Sequence, residues 1–264
     1  SHLYKHRILL YNHTVSYREN QYASCIAGSV RAIYSYLLAS VAADYETVRT
    51  LKRGARGEVS LLRHRQSGTR FVFRQYQGSG EVYRKLLSVT CPNLPRVLEA
   101  AEQDGRVAVL EEFIPGDALA FVLAGGCLTP AQAREITLQL CSALWVLHSL
   151  GAVHRDIKPE NVILRGNEAV LIDFDAARVF KDETSQDTQV LGTTGYAAPE
   201  QYGIAQTGAR ADLYSLGVLL NLMLTGKHPS QALASGRLGR IVQKCTMVNP
   251  EKRYKNVLYL MEAL

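Results

Sequence analysis

From Tyr45 onward, short runs of β-branched and bulky residues follow one another between turn residues. Thr47–Leu51 has strand character, Gly54 and Gly57 interrupt it, and Val59, Leu61 and Leu62 resume it. Gly68 marks a turn before Phe71-Val72-Phe73. Glu81 to Leu87 reads as a short helix closed by Pro92. Val97 to Ala101 and Val107 to Phe113 read as two further strands, turned at Asp104-Gly105. The pattern predicts a small antiparallel lobe of five strands and one helix over residues 45–115.

Pro115-Gly116 ends that pattern, and residues 116–264 read as mostly helical. Thr129-Pro130-Ala131-Gln132 is a helix start, with a Thr N-cap, Pro at the first position and Gln three residues after the cap. Ile136, Leu140, Leu144 and Leu147 continue it on one face. Arg210 to Thr225 is apolar almost all round, as in a buried helix, and Gly226 suits its C-cap. Ile241–Val248 and Val257–Leu264 are further helices. Residues 1–44 form an extension of unassigned role. Within it, Ile26, Val30, Ile33, Leu37 and Val41 recur at helical spacing. A helix docked on the body is expected there, ahead of a loose arm or a membrane segment, because Arg31 and four serines interrupt the apolar run. Ser1-His2, without a methionine, reads as a cloning remnant or as part of a longer chain.

Composition changes little in this picture. The 264 residues are 47% hydrophobic and 20% charged, as in ordinary globular proteins. The formal charge of +6 is scattered, with no long basic run interleaved with aromatics, which argues against a nucleic-acid partner. Mild positive charge suits a protein that handles polyanionic nucleotides. The five cysteines are far apart and lack a C-x-x-C pair. They read as buried small residues in a reducing cytoplasm rather than as zinc ligands or a disulfide framework.

The chemistry concentrates at His154–Asn161, H-R-D-I-K-P-E-N. Phosphoryl transfer needs a carboxylate to take a hydroxyl proton, a cation for the moving group and an amide oxygen for a metal ion. All three occur in these eight positions. Asp173 in I-D-F-D lies twelve residues past Asn161, and A-P-E follows at Ala198–Glu200. In order and spacing the set resembles the protein kinase catalytic core, in particular that of bacterial Ser/Thr kinases. The resemblance implies the two-lobed α+β protein kinase fold and transfer of the ATP γ-phosphate to Ser or Thr of protein substrates.

It implies roles as well. Asp156 would be the catalytic base, Lys158 would contact the γ-phosphate, and Arg155 would meet a phosphate or acidic group on the activation segment. Asn161 and Asp173 would hold Mg²⁺ or Mn²⁺, ions that take hard oxygen ligands. Thr193, in the run Gly192–Glu200, would hydrogen-bond toward Asp156. Glu200 would pair with Arg253, and Asp212 would brace the catalytic loop. Thr184, Ser185 and Thr188 are candidate phosphorylation sites. Leu51, Val59, Val72 and Ile163 would enclose adenine, or equally serve as ordinary core. Glu112 and Ile114 would face adenine with backbone groups.

Three departures stand out. Lys52 takes the place of the first glycine of the nucleotide loop, leaving Gly54 and Gly57. Asp175 replaces the last residue of the D-F-G pattern, where glycine has torsional freedom that Asp lacks. Arg74 replaces the lysine that meets the α- and β-phosphates, and Arg is longer, planar and forked. The usual glutamate partner position falls on Val82, so Glu81, the unusual acid Glu111, or both are expected to balance Arg74. The expected function is an ATP-dependent Ser/Thr protein kinase with an atypical Arg, Arg74, in place of the nucleotide-binding lysine. The alternative is a pseudokinase that binds nucleotide or acts as a scaffold. A small-molecule phosphotransferase fits less well, because A-P-E belongs to a protein-docking segment. The oligomeric state is not legible.

Overall fold

The computed structural model describes residues 30–179, 195–202 and 208–264. They fall into two compact units, one running to Gly80 and including Glu99–Leu110, the other formed by Glu81–Leu98 and Glu111–Leu264.

The first unit opens with helix α1 (Val30–Asp44), followed by strands β1 (Tyr45–Gly54), β2 (Gly57–His64) and β3 (Arg70–Gln77). With β4 (Val97–Gln103) and β5 (Arg106–Glu112), which run on into the second unit, they make a five-stranded sheet in the order β1-β2-β3-β5-β4. The β1–β2 hairpin is antiparallel and closes at the Gly54–Gly57 pair. Gly57 is dictated by the sheet itself: a Cβ there would lie 2.0 Å from the carbonyl oxygen of Gln75 on β3. The β4–β5 turn is made by Asp104 and Gly105, at φ 51° and 73°, the left-handed pair that a tight hairpin needs.

Helix α1 docks on this sheet. Tyr34 and Leu37 are buried in one cluster with Leu62, Phe73, Ala101, Ala108 and Leu110, and Ile33, Leu38 and Val41 pack around it. The inward positions Ile33, Leu37 and Val41 repeat every four residues, which is why the helix can cover the sheet with one face. Burying Leu37 alone contributes roughly 1.5–3 kcal/mol.

The second unit is mainly helical. It contains α2 (Glu81–Leu86), α3 (Leu119–Ala124), α4 (Pro130–Ser149), α5 (Ala209–Thr225), α6 (Gly236–Cys245) and α7 (Val257–Ala263). Thr129 caps α4 through a reciprocal bond pattern with Gln132, and Leu140, Leu144 and Leu147 are its buried stripe. Eleven of the seventeen residues of α5 are buried, so this helix forms the centre of the unit. Gly226 ends it in the left-handed region at φ 68°, with its N–H on the Leu222 carbonyl. Helix α6 starts at Gly236, ahead of the Ile241 expected from periodicity, because its first turn carries few apolar residues.

Short strands complete the unit: β6 (Asp117–Ala118), β8 (Val162–Arg165) and β9 (Glu168–Leu171) form one small sheet, and β7 (Ala152–Val153) pairs with β10 (Arg178–Val179). Among the described residues no helix is long and apolar enough to cross a membrane.

Candidate active site

The segment between β7 and β8 carries the chemistry, and α5 fixes its shape. Asp212, in the first turn of α5, accepts hydrogen bonds from the backbone N–H of His154 at 2.9 Å and of Arg155 at 2.8 Å. His148 of α4 donates to it from Nε2 at 2.9 Å. Arg155 sits at φ 69°, a conformation that costs an L-residue on the order of 1–3 kcal/mol. The bonds to Asp212 offset that strain. Burial pushes the Asp212 pKa up, but the His148 hydrogen bond and charge, His154 and the Arg155 N–H outweigh it, and the group is held below its ordinary value.

His154 is fully enclosed. Burial drives its pKa down against the opposing pull of Asp212, Asp156 and Asp173. Its hydrogen bonds agree with a neutral ring: Nε2 donates to the Ile172 carbonyl at 3.2 Å, and Nδ1 accepts from the Asp156 N–H at 3.3 Å. The imidazole thus ties the catalytic loop to the strand end that leads into Asp173.

Asp156, Lys158 and Asn161 come together. Lys158 Nζ lies 2.7 Å from Asp156 Oδ2, and Asn161 Nδ2 donates to the same oxygen at 3.0 Å and to the Asp156 carbonyl at 2.8 Å. The side chains of Lys158 and Asp156 are 19% and 16% exposed, open enough to meet a substrate. With its NH₂ engaged, Asn161 keeps its Oδ1 as an oxygen donor. The Ile172 N–H bonds to the Asn161 carbonyl at 2.9 Å, which holds β9 and the next residue, Asp173, beside the loop. Asp173 sits at φ 69°. Among the described residues no cluster of three or more His, Cys, Asp or Glu makes a ready metal site. Two oxygen donors, from Asn161 and Asp173, suit Mg²⁺, which usually completes its shell with phosphates and water.

Asp175 does not use glycine-like torsions, since the described non-glycine residues at positive φ are Asp104, Arg155 and Asp173. The cost expected from replacing glycine is therefore absent in this conformation. Its carboxylate instead accepts from the Tyr83 hydroxyl at 2.9 Å.

The A-P-E end of the activation segment is tied to the same core. Glu200 and Arg253 form a two-pronged ion pair at 2.6 and 2.8 Å. Gln201 accepts from the Ala198 N–H at 2.9 Å and donates to the Arg155 carbonyl at 3.0 Å. Ser215 of α5 donates to the Tyr196 carbonyl at 2.8 Å. A cavity of about 290 Å³ opens beside the loop, lined by Pro159, Glu160, Tyr196, Leu123 and Leu222 among others. Thr193 and the candidate phosphorylation sites Thr184, Ser185 and Thr188 lie outside the described residues.

The remaining candidates divide between the units. In the first, Val59, Val72 and Arg74 are buried, with Val59 opposite Arg74 across β2–β3, while Leu51 and Gly54 are exposed. In the second, Glu111 and Ile114 are buried, Ile163 on β8 is half-buried, and Glu112 pairs with Arg165 at 3.0 Å. Glu81 opens α2 half-buried, whereas Val82 and Tyr83 turn into the core. Sequence reasoning did not single out His148, Gln201 or Tyr83. Their partners lie 64, 46 and 92 residues away, beyond any local pattern.

A carboxylate flanked by a lysine and an asparagine, on a loop braced by a buried aspartate, is the architecture of a phosphotransfer core. Residues 45–258 match the protein kinase domain, and the chain belongs to that family. It is 33% identical over 204 residues to the Ser/Thr-protein kinase pkn2 of Myxococcus xanthus, covering 70% of this chain and 25% of that protein. It is 33% identical over 209 residues to the Ser/Thr-protein kinase PknD of Mycobacterium tuberculosis, covering 74% and 31%. PknB of Mycobacterium leprae is 39% identical over 125 residues, covering 46% and 20%. The chain thus spans no more than about a third of the length of these relatives.

Proposed function

We propose that this kinase domain transfers the γ-phosphate of ATP to Ser and Thr hydroxyls of protein substrates. The observation that carries the proposal is the joining of Asp156, Lys158 and Asn161 on the loop that Asp212 holds in place. Asp156 orients the acceptor hydroxyl and takes its proton as the new P–O bond forms and the bond between the γ-phosphorus and the bridging oxygen breaks, releasing ADP. Lys158, already beside Asp156, neutralises charge on the transferred group. Asn161 and Asp173 would hold Mg²⁺, which when bound neutralises the phosphates and orients them. Arg155, a buried residue of the loop, would answer a phosphate or acidic group on the activation segment. Thr193 would bond toward Asp156. The cavity beside Glu160 and Tyr196 leaves room for residues flanking the acceptor.

For the nucleotide, Leu51, Val59, Val72 and Ile163 would contact adenine, Glu112 and Ile114 would offer backbone groups, and Gly54 and Gly57 would approach the phosphates. Arg74 would take the α- and β-phosphates, its charge balanced by Glu81 or Glu111. Both Arg74, at 4% exposure, and Glu111, at 2%, are charges too buried to be left uncompensated. Arg74 is also what favours the second reading, a pseudokinase that binds nucleotide without efficient transfer. A reaction that draws on ATP would run in the cytoplasm.

The test is phosphate incorporation from radiolabelled Mg-ATP into a generic protein substrate. Incorporation by the unsubstituted domain that disappears in Asp156→Ala supports the kinase. Nucleotide-induced thermal stabilisation without incorporation supports the pseudokinase.

A further inference from the structure

Tyr83 touches two consecutive residues that follow Asp173. Its hydroxyl donates to Asp175 Oδ1 at 2.9 Å and accepts from the Phe174 N–H at 3.2 Å. Its ring meets the Phe174 ring edge-on, with centroids 5.6 Å apart, and the residue is 0% exposed. Phe174 is held from its other side by His154, at a centroid distance of 5.4 Å. The Asp175 N–H lies 3.4 Å from Asp173 Oδ1. Helix α2, which carries Tyr83, also packs on β10, the strand that follows this segment.

We propose that Tyr83 and Asp175 form a latch that positions Asp173 for metal binding; the part of this inference that concerns Mg²⁺ rests on the kinase reading above. The phenol links the segment 173–175 to α2 through a part-buried hydrogen bond to a carboxylate, a stronger kind than one between neutral groups. Two effects act in the same direction. The bond favours the arrangement in which Asp173 lies beside the catalytic loop. Asp in place of glycine also removes alternative backbone conformations from which a glycine would have to be recruited. Asp173 itself stands at φ 69°, so neighbours must hold it there. Asp175 is therefore not a damaged glycine position. It exchanges the freedom of the segment for a fixed metal ligand, and it makes the placement of α2 and of Asp173 depend on each other. Tyr83 and Asp175 are positioning residues, since neither is required to touch the substrate.

The latch predicts a pattern across four variants. Tyr83→Phe removes the hydroxyl and keeps the ring. Asp175→Gly removes the acceptor, whereas Asp175→Asn keeps an accepting oxygen. The double variant Tyr83→Phe/Asp175→Gly measures the coupling. Amide hydrogen exchange over residues 173–179, without nucleotide, rises at least about fivefold in Tyr83→Phe and in Asp175→Gly, the size expected for a lost buried bond to a charge. The double variant exchanges no faster than the faster single one, and Asp175→Asn stays within about threefold of the unsubstituted protein. Mn²⁺ binding in the presence of ADP, followed by electron paramagnetic resonance, weakens in the same order. The Mg²⁺ concentration for half-maximal transfer rises in the same order, while kcat at saturating Mg²⁺ changes less.

Unchanged exchange in both single variants, or effects that simply multiply in the double variant, overturns the latch. A lower melting temperature with unchanged Mn²⁺ affinity reduces Tyr83 to a packing residue and overturns the positioning role. If the unsubstituted domain transfers no phosphate, the kinase reading fails, and the exchange experiment still decides the latch by itself.

Discussion

Arg253 holds Glu200 with both terminal nitrogens, at 2.6 and 2.8 Å, and its side chain is fully enclosed while that of Glu200 is 13% exposed. The same guanidinium donates to the carbonyls of Met247, Arg210 and Val248. It thereby joins the A-P-E turn, the start of α5 and the loop after α6. A lysine has neither the reach nor the fork to make this set of bonds. Glu200→Ala leaves a buried guanidinium without its counter-charge and should destabilise the second unit by about 3–5 kcal/mol. Arg253→Lys should destabilise it nearly as much. Urea unfolding followed by tryptophan fluorescence checks both, since Trp145, the sole tryptophan, lies on α4 of this unit. A change under about 1 kcal/mol for Glu200→Ala would show the pair to be marginal.

How much of this was legible beforehand depends on how local the cause was. The Thr129–Gln132 cap, the Gly226 stop and the Asp104-Gly105 hairpin each rest on residues within a few positions of one another, and the structure has all three. The H-R-D-I-K-P-E-N segment brings Asp156, Lys158 and Asn161 together because they belong to one loop. The two-residue strands β6, β7 and β10 are too short to show a period, and sheet order, with β5 between β3 and β4, is a tertiary outcome. Asp175 was visible only as a departure. Its partner Tyr83 sits on a helix whose sequence drew attention to its charges, so the phenol's role emerged from packing alone.

Acid should weaken the catalytic loop through two groups. Asp212 has a folded pKa below its unfolded value. Its contribution is fully present above about pH 4 and is lost as pH falls through the lower folded value. His154 is also lowered in the fold. The unfolded chain takes up its proton near pH 6.5 while the folded one does not, so stability declines as pH drops below about 6.5. Melting temperatures measured against pH should therefore fall on the acid side of 6.5, and His154→Gln should flatten that first part of the decline. Asp212→Asn should be less stable than the unsubstituted protein at pH 7, with the gap narrowing below about pH 4. A gap that widens in acid would contradict the assignment of Asp212 as the buried anion.

Helix α1 is an integral part of the first unit rather than a tail. Leu37, at 2% exposure, enters the cluster of Leu62, Phe73 and Leu110 on the sheet. Leu37→Ala should cost about 2–5 kcal/mol, the range for emptying a buried leucine site. Hydrogen exchange should localise the loss to α1, β2 and β3, with α4 and α5 little changed, because the cluster lies within the first unit. Ser35→Ala, on the exposed side of the same helix, should change stability by less than about 0.5 kcal/mol. Uniform exchange changes throughout the chain would mean that α1 supports more than its own sheet.

On the kinase reading, Arg74 would decide how well the nucleotide is held. It lies on β3, is 4% exposed and faces Val59 across the ladder, so its guanidinium leaves the strand through a closely packed environment. A site built around that fork loses directed hydrogen bonds when the side chain is shortened to a lysine. On the kinase reading, Arg74→Lys should lower kcat/KM for ATP by about tenfold, because a displaced phosphate contact of even an ångström is costly in the transition state. Arg74→Ala should lower it further and should also remove most of the thermal stabilisation given by Mg-ATP. The pseudokinase reading demands the opposite sign for the first variant: a silent unsubstituted domain, and transfer that appears only when lysine is installed. Steady-state transfer measured over a range of ATP concentrations separates the two, and Asp156→Ala in the lysine background shows whether any activity gained uses the same base.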